Sequence, residues 1–285
     1  MIFPVIVYFI IFCYLPMYGI QIAFKDFMPV KGIGGSPWVG FRQFTRFFHS
    51  YQFPILMKNT IGISVYELLV GFPFPIILAL MLNEMKNGIF KNTAQTITYA
   101  PHFLSVVVLC GMVIGMLSPS TGVVNSFIKL FGGKAVYFIT EPSFFKTIYV
   151  FSGIWQNTGY DAIIYIAALA GVDIQLYEAA TVDGANKFQR LLHVTIPCII
   201  PTITIMFILR TGHIMNVGFN KVFLLQNDLN LPASEVISTY VYKKGLLGSE
   251  FSFSTAVDLF NSVINMTLVV IVNKISRKIG DTSLW

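Results

Sequence analysis

The side chains able to do chemistry in this chain are few, and most sit inside apolar runs. Tyr66 and Glu67, then Asn157, Tyr160 and Asp161, then Arg210, His213 and Asn216, and finally Asn261 and Asn265 interrupt stretches built of Leu, Ile, Val, Phe and Ala. In hydrocarbon such groups are expensive, so they face a bundle interior or a wet cavity and find partners there. Arg210 and His213 are three residues apart and Asn261 and Asn265 four, spacings that place each pair on one helix face. Trp155 and Tyr160 offer flat rings able to stack on a sugar. Taken singly, each suits helix–helix hydrogen bonding or packing; taken together, they are candidates to line a path for a polar solute.

No constellation for covalent or metal chemistry accompanies them. His49, His102, His193 and His213 lack ligand spacing, and neither H-E-x-x-H nor G-x-S-x-G occurs. Cys13, Cys110 and Cys198 are odd in number and read as small core residues rather than disulfide partners or ligands. Gly132-Gly133-Lys134 has no glycine at the required upstream position and is followed by Ala135, so it is no phosphate cradle. The chain is therefore expected to bind no cofactor and to hydrolyse no nucleotide itself.

The elements that must hold these residues are set by the solvent. Of 285 residues 55% are hydrophobic and 11% charged, where soluble domains carry roughly 25% charged residues. A bilayer core of about 30 Å takes about 20 helical residues. Six stretches qualify, 2–24, 59–82, 97–117, 145–170, 196–217 and 255–272. The expected fold is an all-α integral membrane protein of six transmembrane helices, one unit over residues 1–285. Pro16, Gly71, Pro73 and Pro75 predict kinks within spans. Gly111 and Gly115 form a small-xxx-small pair, read as packing within the chain. The aromatic and basic run at 38–48 suits an amphipathic segment at the interface. The chain opens in apolar sequence with no basic region or cleavage site before it, which argues against a removed signal peptide and for a missing polar tail.

Between the fourth and fifth spans lies the most polar short stretch beside any span, 171–195. It reads Tyr177-Glu178-Ala179-Ala180-Thr181-Val182-Asp183-Gly184-Ala185, then 186–193, then Val194-Thr195-Ile196-Pro197. Residues 174–183 have helix-forming composition, and Gly184 can adopt positive φ without steric cost. A second short helix is expected over 185–193, with Phe188, Leu191 and Leu192 on one face. Two short helices meeting at a glycine make a compact knob. Ala179 and Ala180 let a partner approach closely, and Glu178 and Arg190 can pair with that partner or with each other.

This segment resembles the EAA loop of permease subunits of binding-protein-dependent ABC importers: EAA, three residues, Gly, nine residues, then I-x-L-P. Val194 and Ile196 replace the family's Ile and Leu, and Pro201 fits the entry to the next span. Tyr14–Ile20 with Ala23-Phe24-Lys25-Asp26, Trp38-Val39-Gly40-Phe41 with Phe44, and Trp155–Tyr160 with Ala167-Ala168-Leu169 extend the likeness to the oligosaccharide-importing subgroup. The resemblance implies a permease of a bacterial plasma (inner) membrane whose loop at about 171–195 is cytoplasmic. It implies Tyr177, Glu178, Ala179, Ala180, Asp183, Gly184, Ala185, Phe188 and Arg190 as the contact with ATPase subunits. The partners implied are a second, similar permease, two ATPases carrying ATP and Mg, an extracytoplasmic solute-binding protein and membrane lipid, with no nucleic acid. An ion-coupled secondary transporter is the alternative, and a membrane-embedded enzyme a third class that lacks its constellation.

Charge does not support that orientation. With the 171–195 loop inside, the inside segments carry seven basic residues and the outside loops eleven, so the positive-inside rule points the other way. The outside loops also hold five acidic residues, leaving that face strongly positive. Such a field concentrates anions. Arg210, about 21 Å along its span at about 1.5 Å per residue, falls in the outer half, where the carboxylate of an acidic (uronate) oligosaccharide could meet it. The alternative is that these lysines and arginines meet an acidic binding protein or lipid head groups.

Overall fold

The computed structural model describes residues 2–280. Residue 1 and residues 281–285 of the single unit expected over 1–285 lie outside these. The regular structure described is helical, apart from one isolated antiparallel bridge between Lys25 and Trp38.

Eight helices organise the molecule: α1 (Phe3–Phe24), α2 (Gln52–Glu84), α3 (Ile89–Phe103), α4 (Val106–Met116), α5 (Pro142–Ala170), α6 (Ile174–Val182), α7 (Lys187–Thr211) and α8 (Phe251–Lys278). Four of them, α1, α2, α7 and α8, are each long and apolar enough to cross a bilayer alone. The α3–α4 and α5–α6 pairs, bent by 102° and 69°, raise the count to six if each pair is one span.

The sequence reading of an unbroken span over 97–117 is therefore corrected. Pro101 closes a 3₁₀ turn, Leu104 is extended, and Ser105 begins a new helix by accepting a hydrogen bond from the Val108 amide. Other boundaries shift in both directions. α2 starts seven residues before the expected 59, because apolar sequence continues back to Phe53 and its face packs on Phe47 of the short helix Arg42–Phe48. α7 ends at Thr211 rather than continuing to 217, and residues 213–217 pass through turns held by α8.

Packing fixes the directions of the elements. One cluster joins Ile63 early in α2, Phe145 and Tyr149 early in α5, and Val217 and Val222 beyond the end of α7. Another joins Ala79 late in α2, Ala162, Tyr165 and Leu169 late in α5, and Ile199 early in α7. α2 and α5 thus run together and α7 runs against them. A third cluster seats Phe47, Leu56, Met215, Phe253 and Val257 around the start of α8. α1 contributes no buried residue until Ala23.

Two further expectations change. Gly111 and Gly115 have no neighbour within 4 Å of where a Cβ would stand, so they do not mediate packing within the chain. Cys110 is buried, but Cys13 and Cys198 are exposed on their helices, and only the first is a core residue.

Candidate functional sites

The turn between α6 and α7 is built by capping. Asp173 accepts the Gln175 amide at 2.9 Å to start α6. At the other end Gly184 takes φ +78°, its amide donates to Thr181 O at 3.0 Å, and the Ala185 amide reaches back to Ala180 O at 2.9 Å. That pair of bonds is a Schellman ending, and it requires the left-handed residue that glycine supplies. Asn186 then opens α7 with a capping box: its side chain accepts the Gln189 amide at 2.9 Å, and Gln189 Oε1 accepts the Asn186 amide at 2.8 Å. The second helix is therefore not a separate short element over 185–193, as expected, but the first turns of α7.

Tyr177 OH lies 3.1 Å from Thr195 Oγ1, tying α6 to α7. Arg190 donates to Thr181 Oγ1 at 3.0 Å rather than to Glu178. Glu178 makes no ion pair among the described residues and is exposed, as are Ala179 and Asp183. Phe188 is 66% and Val182 88% exposed, an unusual display of apolar side chains on a polar turn. A groove of about 340 Å³ runs beside them, with Ala180, Asp183, Gly184, Ala185 and Arg190 in its wall.

In the bundle the Arg210 guanidinium at the end of α7 contacts Glu67 of α2 at 3.2 Å and Asp161 of α5 at 3.3 Å. One cation is shared by two carboxylates, each roughly a third exposed. Arg210, expected to meet a saccharide carboxylate, thus already has two anionic partners from its own chain.

Asn216 Oδ1 accepts hydrogen bonds from Asn261 Nδ2 and Asn265 Nδ2, both at 2.9 Å. Asn265 Oδ1 accepts the Met215 backbone amide at 3.0 Å, which settles its orientation because that donor cannot be exchanged. Asn216 must then accept, and its amide N–H groups point away from the pair, beside a cavity of about 150 Å³ that Ser64, Glu67, Arg210 and His213 also line.

Other candidates are placed elsewhere. Trp155 lines a separate apolar groove of about 430 Å³ with Phe74, Ile97 and Pro101. Tyr66 packs against the core. Asn157 and Tyr160 meet His102, which sequence reading set aside because it lacked metal spacing. His102 Nδ1 is 3.0 Å from Asn157 Oδ1, and its ring stacks on Tyr160 at 3.8 Å and 4°. The signal available was Pro101 next to it, a break that frees a side chain to cross to α5. Outside the spans, Lys221 in the short helix Phe219–Leu225 is half-buried with its ammonium over the Tyr149 ring, and desolvation pushes its pKa down to about 8.

The fold and these sites define a multi-pass permease. The chain belongs to the family described as the inner membrane component of binding-protein-dependent transport systems, whose profile matches residues 71–281. It is 40% identical, over 100% of its length and 89% of the relative's, to the polygalacturonan/rhamnogalacturonan transport system permease protein YteP of Bacillus subtilis. Among solved structures, it is similar to a chain of a bacterial ABC transporter involved in the import of the acidic polysaccharide alginate (44% identity, TM-score 0.91, covering 97% of this chain and 93% of that one). It is likewise similar to a chain of the bacterial alginate ABC transporter in complex with an alginate pentasaccharide-bound periplasmic protein (42% identity, TM-score 0.92, covering 99% and 94%).

Proposed function

We propose that this chain, a single transmembrane unit of six spans over residues 1–285, is the permease of an ATP-driven importer of acidic oligosaccharides. The observation that carries this reading is similarity along almost the whole chain to permeases of systems for two acidic polymers, galacturonan and alginate. The turn at residues 177–190 docks on an ATPase subunit in the cytoplasm. Its exposed Phe188 and Val182 enter the partner, and Ala179 and Ala180 allow close approach. ATP and Mg bind to two such ATPases, and this chain supplies no cofactor and no catalytic group. A second permease completes the path, and a solute-binding protein delivers the saccharide from outside.

ATP-driven closure of the ATPases moves the α6–α7 turn. Because α7 is continuous from Asn186 to Arg210, that motion reaches the polar cluster in the bundle. Asn216, His213 and Arg210 line the path, and Asn261 and Asn265 orient Asn216. Asn157 and Tyr160 form a second polar patch on α5, whereas Tyr66 and Trp155 act in packing.

The test is ATP hydrolysis by the complete complex in nanodiscs with its binding protein. Uronate oligosaccharides are expected to stimulate it at least severalfold over carboxyl-reduced versions of the same chains. Equal stimulation by both would overturn the acidic-substrate reading.

A further inference from the structure

Arg210 and His213 belong to two cavities at once. The first, of about 150 Å³, is bounded by Ser64, Glu67 and Asn216. The second, of about 260 Å³, is bounded by Phe72, Asp161, Tyr165 and Met206. Ser64 precedes Phe72 along α2, and Met206 lies on the opposed α7 whereas Asn216 lies in the turns beyond its end, so the cavities lie on opposite sides of Arg210 along the helix axes. Glu67 faces one cavity and Asp161 the other, each with an oxygen within 3.3 Å of the guanidinium. The ion pairs therefore stand as a partition between the two cavities, and they join α2, α5 and α7.

Opening this partition without replacing its bonds would leave a cation and two carboxylates, each about two-thirds withdrawn from solvent, without their partners, an unfavourable state. A neutral sugar offers hydroxyls but no charge to take the place of Glu67 or Asp161. A sugar carboxylate has the same geometry as those side chains and can accept the guanidinium fork in the same way.

We propose that Glu67, Arg210 and Asp161 form a selectivity gate between the two cavities, opened by carboxylate exchange: a uronate displaces Glu67 from Arg210 on one side and then Asp161 on the other, and each side chain re-forms its pair once the uronate has moved on. No bond is made or broken beyond ion pairs and hydrogen bonds, and no proton need move. This rests on the acidic-oligosaccharide reading above and adds the residues that discriminate.

The experiment uses the full complex with its binding protein in vesicles, each saccharide at saturating binding protein. It compares uptake of a uronate oligosaccharide with uptake of its carboxyl-reduced counterpart, and taking variant against wild type cancels the binding protein's own preference. Arg210→Gln is expected to cut the uronate-to-neutral ratio at least tenfold. Arg210→Lys, which keeps the charge and loses the fork, falls between. Glu67→Gln removes one competitor for the guanidinium and should change the ratio by at least threefold without loss of assembly, so it decides the matter if Arg210→Gln does not assemble. If wild type prefers uronate and neither Arg210→Gln nor Glu67→Gln shifts the ratio, the gate is wrong and the functional reading stands. If wild type shows no preference, the functional reading falls and the gate with it.

Discussion

At the scale of single residues, the informative outcomes are those where a side chain has partners the sequence does not announce. Arg210 was legible as an unusual charge in an apolar run, but its spacing to His213 says nothing of Glu67 or Asp161, which lie 143 and 49 positions away. Only folding brings those three together. Gly184 is the opposite case, since a glycine after a helical stretch predicts its own conformation, and φ +78° follows. Proline, fixed near φ −65°, cannot occupy that position. Gly184→Pro should therefore abolish saccharide-stimulated ATP hydrolysis while the protein still inserts and is recovered from membranes. Glu178→Lys, which reverses an exposed charge on the same turn, should act the same way. Gly184→Ala meets a smaller penalty, about 1–2 kcal/mol for a side chain in the left-handed region, and should only weaken stimulation. Undiminished stimulation in Gly184→Pro and Glu178→Lys would remove this turn from the ATPase contact.

At the scale of elements, apolar runs revealed the helices but not their breaks. Membrane helices tolerate proline when neighbours satisfy the freed groups, so Pro101 alone does not distinguish a kink from the 102° corner between α3 and α4. What makes the corner is Ser105 capping a new helix, together with Gln156 of α5, which donates to the Leu104 carbonyl at 3.0 Å. The neighbouring contact is close: a Cβ at Gly159 would run into the Thr98 carbonyl oxygen. Gly159→Val must push α3 away from α5, an overpacking that typically costs about 1–3 kcal/mol. A lower melting temperature in detergent is expected, along with loss of the His102–Tyr160 stack. An unchanged melting temperature would show that α3 is not seated there. The extension of α2 back to Gln52 was hidden for a simpler reason, because Lys58 and Asn59 look like a loop end. Asn59 is instead buried, its amide donating to Pro232 O and Glu235 O.

At the scale of the whole molecule, the fold class and membrane location followed from composition, whereas orientation did not. The excess of basic residues in the outside loops opposes the orientation drawn from the α6–α7 turn. Part of that charge is paired locally, since Arg46 and Lys244 both reach Glu250 and Lys243 reaches Glu235. Cysteine labelling resolves the matter. Asn230 is fully buried, so the outer probe belongs at exposed Leu229, in a background with exposed Cys13 and Cys198 replaced by serine. Asn186→Cys should react with an impermeant thiol reagent only from the cytoplasmic side and Leu229→Cys only from outside; the reverse pattern would invert the molecule.

The central claim is that ATP hydrolysed by partner subunits drives an acidic saccharide through this permease. Its most direct test is uptake of a uronate oligosaccharide by vesicles holding the complete complex, with ionophores present to abolish every ion gradient. Accumulation that requires ATP and persists with the ionophores is the predicted result. Accumulation without ATP that collapses when the ion gradients are dissipated would contradict it and identify an ion-coupled carrier.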